Sequence, residues 1–196
     1  MKDRLPAARY RLERQSSSNA VLVACASATT LAYMSRSAIS VMVVSMSAEL
    51  GWSRDDEAYV LSAFYYGYIC TNLLGGLLCR QFGSKVVLGL SVLGWSCMTM
   101  LLPAAAQTSI HAAWLARAAC GLCQGPTYAS IYHIFGKAIK PEQRARAVAA
   151  ANAGAPLGIS LCYCICPSIE AQLGWYTLPF CLLPPPSPAR ARVGPF

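Results

Sequence analysis

The sequence predicts an all-α, polytopic membrane protein with five transmembrane helices and an aborted sixth. Of its 196 residues, 56% are hydrophobic and 12% are charged, and the mean hydropathy is +0.42. A soluble domain has about 25% charged residues. Five apolar windows reach the roughly 20 residues that a helix needs to cross a bilayer. These windows do not alternate in polarity and are about twice as long as the strand of a membrane barrel, so helices are expected.

The predicted spans follow one another through short polar connections. They cover residues 20–46, 58–79, 86–106, 112–135 and 147–169. A sixth apolar window covers about 174–183 and stops at three consecutive prolines, which remove backbone donors and break a helix. We therefore expect a basic cytoplasmic tail at 1–19, a transmembrane half-bundle at 20–180 and a divergent Pro- and Arg-rich tail at 184–196.

The distribution of Lys and Arg predicts the orientation in the membrane. Outside the spans and the last segment, every Lys and Arg except Arg54 lies in the N-terminal tail, in the loop after span two or in the loop after span four. The positive-inside rule places these segments, and with them the N-terminus, in the cytoplasm. A plastid address in the basic N-terminus stays an alternative, against which Asp3 and Glu13 argue. The residues do not specify which membrane holds the chain.

The net charge of +8 has two explanations. It is typical of nucleic-acid binding, but basic cytoplasmic loops explain it better, so no nucleic-acid partner is expected. The ten cysteines lie mostly in apolar windows and are expected to be small buried hydrophobes. Cys162, Cys164 and Cys166 alternate around a helix with no histidine nearby, which argues against a metal site. No phosphate loop, nucleophile–base pair or paired carboxylates are found, so neither an enzyme nor a cofactor is predicted.

The loop after span two carries the first element of a family resemblance. Its sequence "GGLLCRQFGSK" resembles the conformational signature G-x-x-x-D-R/K-x-G-R-R/K of the major facilitators at Gly76, Gly83 and Lys85, whereas Arg80 and Ser84 replace the signature Asp and first Arg. The stretches "LSAFYYGYICTNLLGGLL" and "LARAACGLCQGPTYASIYHIFGKAIK" stand at the expected spacing. Together they are similar to the anion:cation symporter branch, which includes sialin, the vesicular glutamate transporters and plant and algal phosphate/anion transporters. The resemblance covers roughly residues 28–180 and implies one half of a two-half helical fold.

The resemblance implies that Arg36 and Arg117 bind the substrate. Arg36 corresponds to the arginine of a first-helix "D-R-x-N" element that faces the central cavity, and it is the one charge of its span. A charge in a bilayer costs at least ~2.5 kcal/mol on insertion scales and is kept mostly where it has a function. The alternative is that Arg36 snorkels to the membrane surface. Arg117 corresponds to the arginine of a fourth-helix "R-x-x-x-G-x-x-E-G" element, or else it anchors the helix at the outer interface.

Further candidates are predicted to line the same cavity. Arg117, Gln124 and Tyr128 sit at offsets 0, 7 and 11 and thus share one face of a helix. In span two, Tyr65 or Tyr66 is the predicted hydrogen-bond partner of an anion. The alternative for both tyrosines is contact with lipid or with a neighbouring helix.

Two family carboxylates associated with proton coupling are absent. Ser35 stands where the "D-R" element has Asp, Gln124 stands where most of the family has Glu, and the five spans contain no Asp or Glu. His133 is the other titratable candidate and is expected to be structural. Our hypothesis is that the chain retains affinity for anions but has lost the usual proton coupling. The fourth-helix proline stands at Pro126, where the family has it three residues later, so the expected kink moves.

The sequence therefore predicts secondary-active transport of a small organic or inorganic anion by alternating access in a lipid bilayer. Such transport would need a C-terminal half or a complete homologue as partner. One alternative is a truncated membrane protein that does not transport and at most associates with a complete homologue. Another is a half-length transporter that pairs with a second copy. Phosphate, organic carboxylates and acidic sugars all suit two arginines, so the anion is not specified.

Overall fold

The chain is helical throughout the part that the structure, a computed structural model, describes: residues 4–181, with side chains from 19 to 179. The prediction of an all-α chain is confirmed for these residues, which contain no strand. The helices are α1 Arg4–Leu50, α2 Arg54–Phe82, α3 Ser84–Thr108, α4 Ile110–Gln124, α5 Thr127–Ala138, α6 Pro141–Leu173, a 3-10 turn at Trp175–Thr177 and α7 Leu178–Cys181.

Three helical segments of the described chain are long and apolar enough to cross a membrane. They are Asn19–Leu50 in α1, Ser84–Thr108 in α3 and Pro141–Leu173 in α6. The second predicted span lies within α2, and the fourth is divided between α4 and α5. The sixth window holds a single 3-10 turn and the short α7, and the tail predicted at 184–196 lies outside the described residues.

Short polar residues and one glycine set the boundaries of the helices. Ser53 begins α2 with a capping box: its hydroxyl accepts from the backbone N–H of Asp56 at 3.2 Å, and the Asp56 carboxylate accepts from the backbone N–H of Ser53 at 2.9 Å. Hydrogen bonds from the backbone and side chain of Ser53 lower the pKa of the Asp56 carboxyl. Gly83, with φ of 84°, separates α2 from α3 in a conformation that favours glycine.

The helices pack in pairs around a shared core. α1 lies along α6, and α2 lies along α4, which also packs against α3. The largest buried apolar cluster takes side chains from all five of these helices, and Met42, Met46, Val60 and Cys162 are among its fully buried members. Because lipid tails are as apolar as leucine, close packing rather than exclusion of water holds such helices together in a bilayer.

Close approach of α1 and α6 depends on glycine. A Cβ at Gly158 would overlap the backbone carbonyl of Thr30, and a Cβ at Gly154 would lie 2.7 Å from the carbonyl oxygen of Ala26. The "GAPLG" element of α6 therefore brings two backbones together, as small residues do in membrane helices. Gly76 supports no such approach within the described structure, because a Cβ there meets open space.

Arg144, one of the basic loop residues, closes the end of α5. Its guanidinium donates to the backbone carbonyls of Ile139 at 3.1 Å and of Gly136 at 2.5 Å. The last carbonyls of a helix have no further backbone N–H to bind, and a cation suits the negative end of the helix dipole. Arg144 thus fixes the connection between α5 and α6 in addition to its predicted place in a basic loop.

Gly158→Ala should loosen the contact between α1 and α6. The new Cβ would overlap the Thr30 carbonyl, which belongs to the backbone, so we expect a loss of about 1–3 kcal/mol of stability. Gly89→Ala is the matched control, because its Cβ would meet open space and alanine is the better helix former. Thermal unfolding in detergent micelles measures both variants, and equal midpoints would contradict this packing.

Candidate functional site

Two arginines, one glutamine and several aromatic rings meet between α1, α2 and α4. We call this group the arginine cluster: Arg36, Arg117, Gln124, Tyr33, Phe64 and Tyr68. Arg36 comes from α1 and is half-buried, and its Nε and Nη2 donate to Gln124 Oε1 of α4 at 3.3 and 3.1 Å. The Arg36 guanidinium is therefore directed into the bundle.

Aromatic rings surround the Arg36 guanidinium. Its Cζ lies 4.9 Å from the ring centroid of Tyr33, 4.4 Å from that of Phe64 and 4.9 Å from that of Tyr68. A cation within about 6 Å of an aromatic face is attracted by the ring quadrupole, by roughly 0.5–2 kcal/mol per pair. Phe64 and Tyr68 also stack on one another with centroids 5.7 Å apart. The rings thus stabilise the positive charge without neutralising it.

Gln124 holds Arg36 without opposing its charge. The Gln124 side chain is buried, its Oε1 accepts from Arg36, and its Nε2 donates to the backbone carbonyl of Ala32 at 3.2 Å. Both ends of the amide are used, which fixes its orientation. Ala32 lies about one helical turn before Arg36, so Gln124 ties α4 to α1 at two points.

Arg117 is buried, with 5% of its surface exposed, and has no acidic partner among the described residues. Its Cζ lies 5.1 Å from the centroid of Phe64, so both guanidiniums contact the same ring. Its Nε has no hydrogen-bond partner within the described residues, and the five predicted spans contain no Asp or Glu. An unsatisfied buried donor costs about 1–3 kcal/mol, and more when it is charged. An anion that reached Arg117 would remove that cost.

In the described chain, Tyr33 and Tyr68 are the tyrosines that contact Arg36, and the sequence predicts neither as a substrate ligand. Tyr33 precedes Arg36 by three residues on α1, and this i, i+3 spacing was the available signal. Tyr128 lies next to the arginine cluster, its ring 6.3 Å from that of Tyr33 and nearly perpendicular to it. Gln124 and Tyr128 thus both lie next to α1, and Arg117 contacts the Phe64 ring that Arg36 also contacts.

Tyr65 and Tyr66 are placed differently from the tyrosines of the arginine cluster. Their side chains are 57% and 63% exposed, and the ring of Tyr66 lies 6.3 Å from that of Trp114. Tyr65 follows Phe64 directly and packs edge-on against its ring at 5.6 Å. Contact of either hydroxyl with a substrate stays a prediction.

A kink between α4 and α5 directly follows Gln124. Pro126 has no N–H, so the carbonyl of Leu122, four residues earlier, lacks its helical donor. The hydroxyl of Thr71 in α2 donates to that carbonyl at 2.8 Å. The carbonyl that Pro126 leaves without a helical donor therefore accepts a hydrogen bond from the neighbouring helix. This bond fixes α2 against α4 beside the arginine cluster.

The residues of the conformational signature lie where α2 meets α3. The Arg80 side chain, in the last turn of α2, is exposed. Gly83, between α2 and α3, has a positive φ. The predicted members are Gly76, Arg80, Gly83 and Lys85. Nearby, the Ser84 hydroxyl and His133 Nδ1 are 2.5 Å apart, which links α3 to α5.

Ser35 lies outside the arginine cluster. It lines a cavity of about 170 Å³ between α1 and α3, together with Thr99 and eight other residues. The three alternating cysteines of α6 divide as their spacing predicts: Cys162 and Cys166 are buried with sulfurs 3.5 Å apart, and Cys164 is exposed. The described residues contain no grouping of His, Cys, Asp and Glu that could hold a metal ion.

Comparisons with known proteins identify the family. The model of the Major Facilitator Superfamily matches residues 25–185. The "Probable anion transporter 4, chloroplastic" of Oryza sativa subsp. japonica is 32% identical over 155 residues, which are 79% of this chain and 26% of that protein. The "Ascorbate transporter, chloroplastic" of Arabidopsis thaliana is 31% identical over 155 residues, 79% and 29% of the two chains. The "Voltage-gated purine nucleotide uniporter SLC17A9" of Homo sapiens is 29% identical over 153 residues, 76% and 35% of the two chains.

Long apolar helices packed around two arginines are those of an integral membrane protein. The chain belongs to the Major Facilitator Superfamily, because the family model matches most of its length. The predicted resemblance is therefore confirmed, including the likeness to anion transporters. The chain spans between 26% and 35% of the length of the three relatives.

Thr71→Val should weaken the contact between α2 and α4, because valine leaves the Leu122 carbonyl without a donor. We expect a loss of about 1 kcal/mol of stability. In a Pro126→Ala background the helix regains its own donor to Leu122, so the same substitution should cost much less. A double-mutant cycle by thermal unfolding measures the coupling. Equal costs in the two backgrounds would show that Thr71 does not replace the missing N–H.

Proposed function

We propose that this chain forms the N-terminal half of a secondary-active transporter that binds a small anion at the arginine cluster. The observation that carries the proposal is the pair of guanidiniums on the ring of Phe64, neither of which has an acidic partner in the described chain. Arginine stays protonated, and its planar fork matches carboxylate and phosphate groups. The printed names of the relatives, which include an anion, an ascorbate and a purine nucleotide transporter, fit an anionic solute.

The proposed topology has five membrane spans and a cytoplasmic N-terminus. In this arrangement α1, α2, α3 and α6 form spans one, two, three and five. Span four consists of α4 and α5 together and is kinked at Pro126. The length of α2 and the single proline at the α4–α5 junction support that count. The basic residues of the tail and of the loops after α2 and α5 support the orientation.

We propose that transport occurs by alternating access, in which two half-bundles rock around a site near the midplane of the membrane. The share of the relatives' length that this chain covers supports a need for further helices. These would come from a C-terminal half or from a complete homologue. The competing proposal is a chain that binds an anion but does not transport it.

Arg36→Gln and Arg117→Gln should each weaken anion binding. Hydrogen bonds to charged groups contribute about 1.5–3 kcal/mol, so the dissociation constant for inorganic phosphate should rise about 10- to 100-fold. The measurement is binding of radiolabelled phosphate to the purified chain in lipid nanodiscs. Arg54→Gln is the matched control, because Arg54 is exposed at the start of α2. Unchanged binding in both cluster variants would exclude this site.

Phosphate uptake into proteoliposomes separates transport from binding alone. Uptake that Arg36→Gln abolishes supports transport by this chain, and binding without uptake supports the competing proposal. An imposed proton gradient should not accelerate that uptake, because the predicted spans contain no carboxyl group to carry a proton. A gradient-dependent rate would contradict the proposed loss of proton coupling.

A further inference from the structure

We propose that Gln124 makes the arginine cluster selective for doubly charged anions over singly charged ones. This inference rests on the proposed function, since it assumes that an anion binds between Arg36 and Arg117. It adds the charge class of the substrate and makes the selectivity depend on the neutrality of residue 124. A carboxylate at position 124 would weaken that selectivity.

The first step is the position of Gln124. Its Oε1 lies within hydrogen-bond distance of both Nε and Nη2 of Arg36, at 3.3 and 3.1 Å, which is where a carboxylate would form an ion pair. Gln124 makes these bonds with a neutral amide and uses its other end on the Ala32 carbonyl. Arg36 is therefore held in place while its full charge remains available.

The second step is that the groups around the two arginines are neutral. Tyr33, Phe64 and Tyr68 face Arg36, and Phe64 also faces Arg117. The Cys120 thiol follows Arg117 by one turn and contacts the Thr99 hydroxyl of α3 at 3.7 Å. Hydroxyls, thiols and aromatic rings supply dipoles but no negative charge at neutral pH. The cluster therefore presents two positive charges.

The third step is electrostatic. In a site removed from water, a unit charge interacts more strongly than in bulk solvent, so an anion gains from each arginine that it can neutralise. A dianion neutralises both guanidiniums, and a monoanion leaves one of them buried and unpaired. Arg117 is the charge that would be left, because it is 5% exposed and its Nε has no partner in the described chain.

The experiment compares sulfate, a dianion, with methanesulfonate, a monoanion of similar shape, on the purified chain in nanodiscs at pH 7.5. Radiolabelled sulfate is displaced by each unlabelled anion, and the ratio of the two dissociation constants is the readout. The hydration of the two free anions contributes equally to this ratio in every variant. A comparison of the ratio between variants therefore isolates the charge of residue 124. Gln124→Glu should reduce the preference for sulfate by about tenfold or more, since an added charge removes one of two attractions.

Two further variants separate charge from structure. Gln124→Leu removes the hydrogen bonds that hold Arg36 without adding charge, so it should lower the preference ratio less than Gln124→Glu does. Gln143→Glu adds a carboxylate at an exposed position in the first turn of α6, where an acid suits the helix dipole, and should leave the ratio unchanged. If Gln124→Glu fails to fold, Arg117→Gln tests the same point, because it also leaves one positive charge and should lower the ratio.

The outcomes distinguish this inference from the proposed function. Sulfate binding with a ratio that Gln124→Glu and Arg117→Gln both leave unchanged overturns the charge selectivity and leaves anion binding in place. No binding of either anion, in a chain that unfolds cooperatively, overturns the proposed function and the selectivity with it. A preference for sulfate that falls in both charge variants, falls less in Gln124→Leu and is unchanged in Gln143→Glu supports the inference.

Discussion

The close approach of α2 to α4 is the constraint on which the arginine cluster depends. A Cβ at Gly121 would overlap the backbone carbonyl of Phe64 and lie 2.9 Å from the backbone nitrogen of Tyr68, and a Cβ at Gly67 would overlap the carbonyl of Ala118. Two glycines facing one another thus let two backbones touch. Phe64 and Tyr68, whose backbone lies against Gly121, are also the two α2 residues whose rings reach Arg36. The packing of small residues therefore decides where the cations lie.

The cluster stabilises its cations by means that leave them reactive toward an anion. A buried ion pair would satisfy Arg36 and cancel its charge, and its desolvation cost would offset most of the Coulombic gain. Aromatic faces and one amide oxygen give a smaller stabilisation, but the charge remains. Arg117 has even less, since one ring contacts it and its Nε is unpaired in the described chain. The fold thus leaves Arg36 and Arg117 only partly stabilised, and a bound anion would stabilise both charges further.

The sequence was sufficient for the helical class, which follows from apolar run length. The helical period also puts Arg117 and Gln124 on one face of α4, whereas Tyr128 lies in α5, beyond the break at Pro126. The sequence was insufficient for the tyrosines. Tyr65, Tyr66 and Tyr68 stand close together on α2, and only the rotation of that helix against α4 decides which ring meets Arg36. That rotation is set by glycine contacts between distant segments, which periodicity within one helix does not contain.

The hydrogen bond from Thr71 to the Leu122 carbonyl could not be predicted from the sequence for a related reason. The sequence shows that Pro126 lacks a backbone N–H, but the residues around it do not indicate which neighbouring helix supplies the replacement donor. Such compensation between helices has a consequence for the proposed mechanism. The arginines, their rings and Gln124 come from α1, α2 and α4. Of these helices, α2 and α4 touch through facing glycines and share the hydrogen bond at the kink, and α1 is joined to them through the side chain of Arg36. In alternating access this unit would move as one body, so the anion would keep the same ligands while its access changed sides. The charge selectivity of the site would then belong to this half alone and would not depend on which side is open.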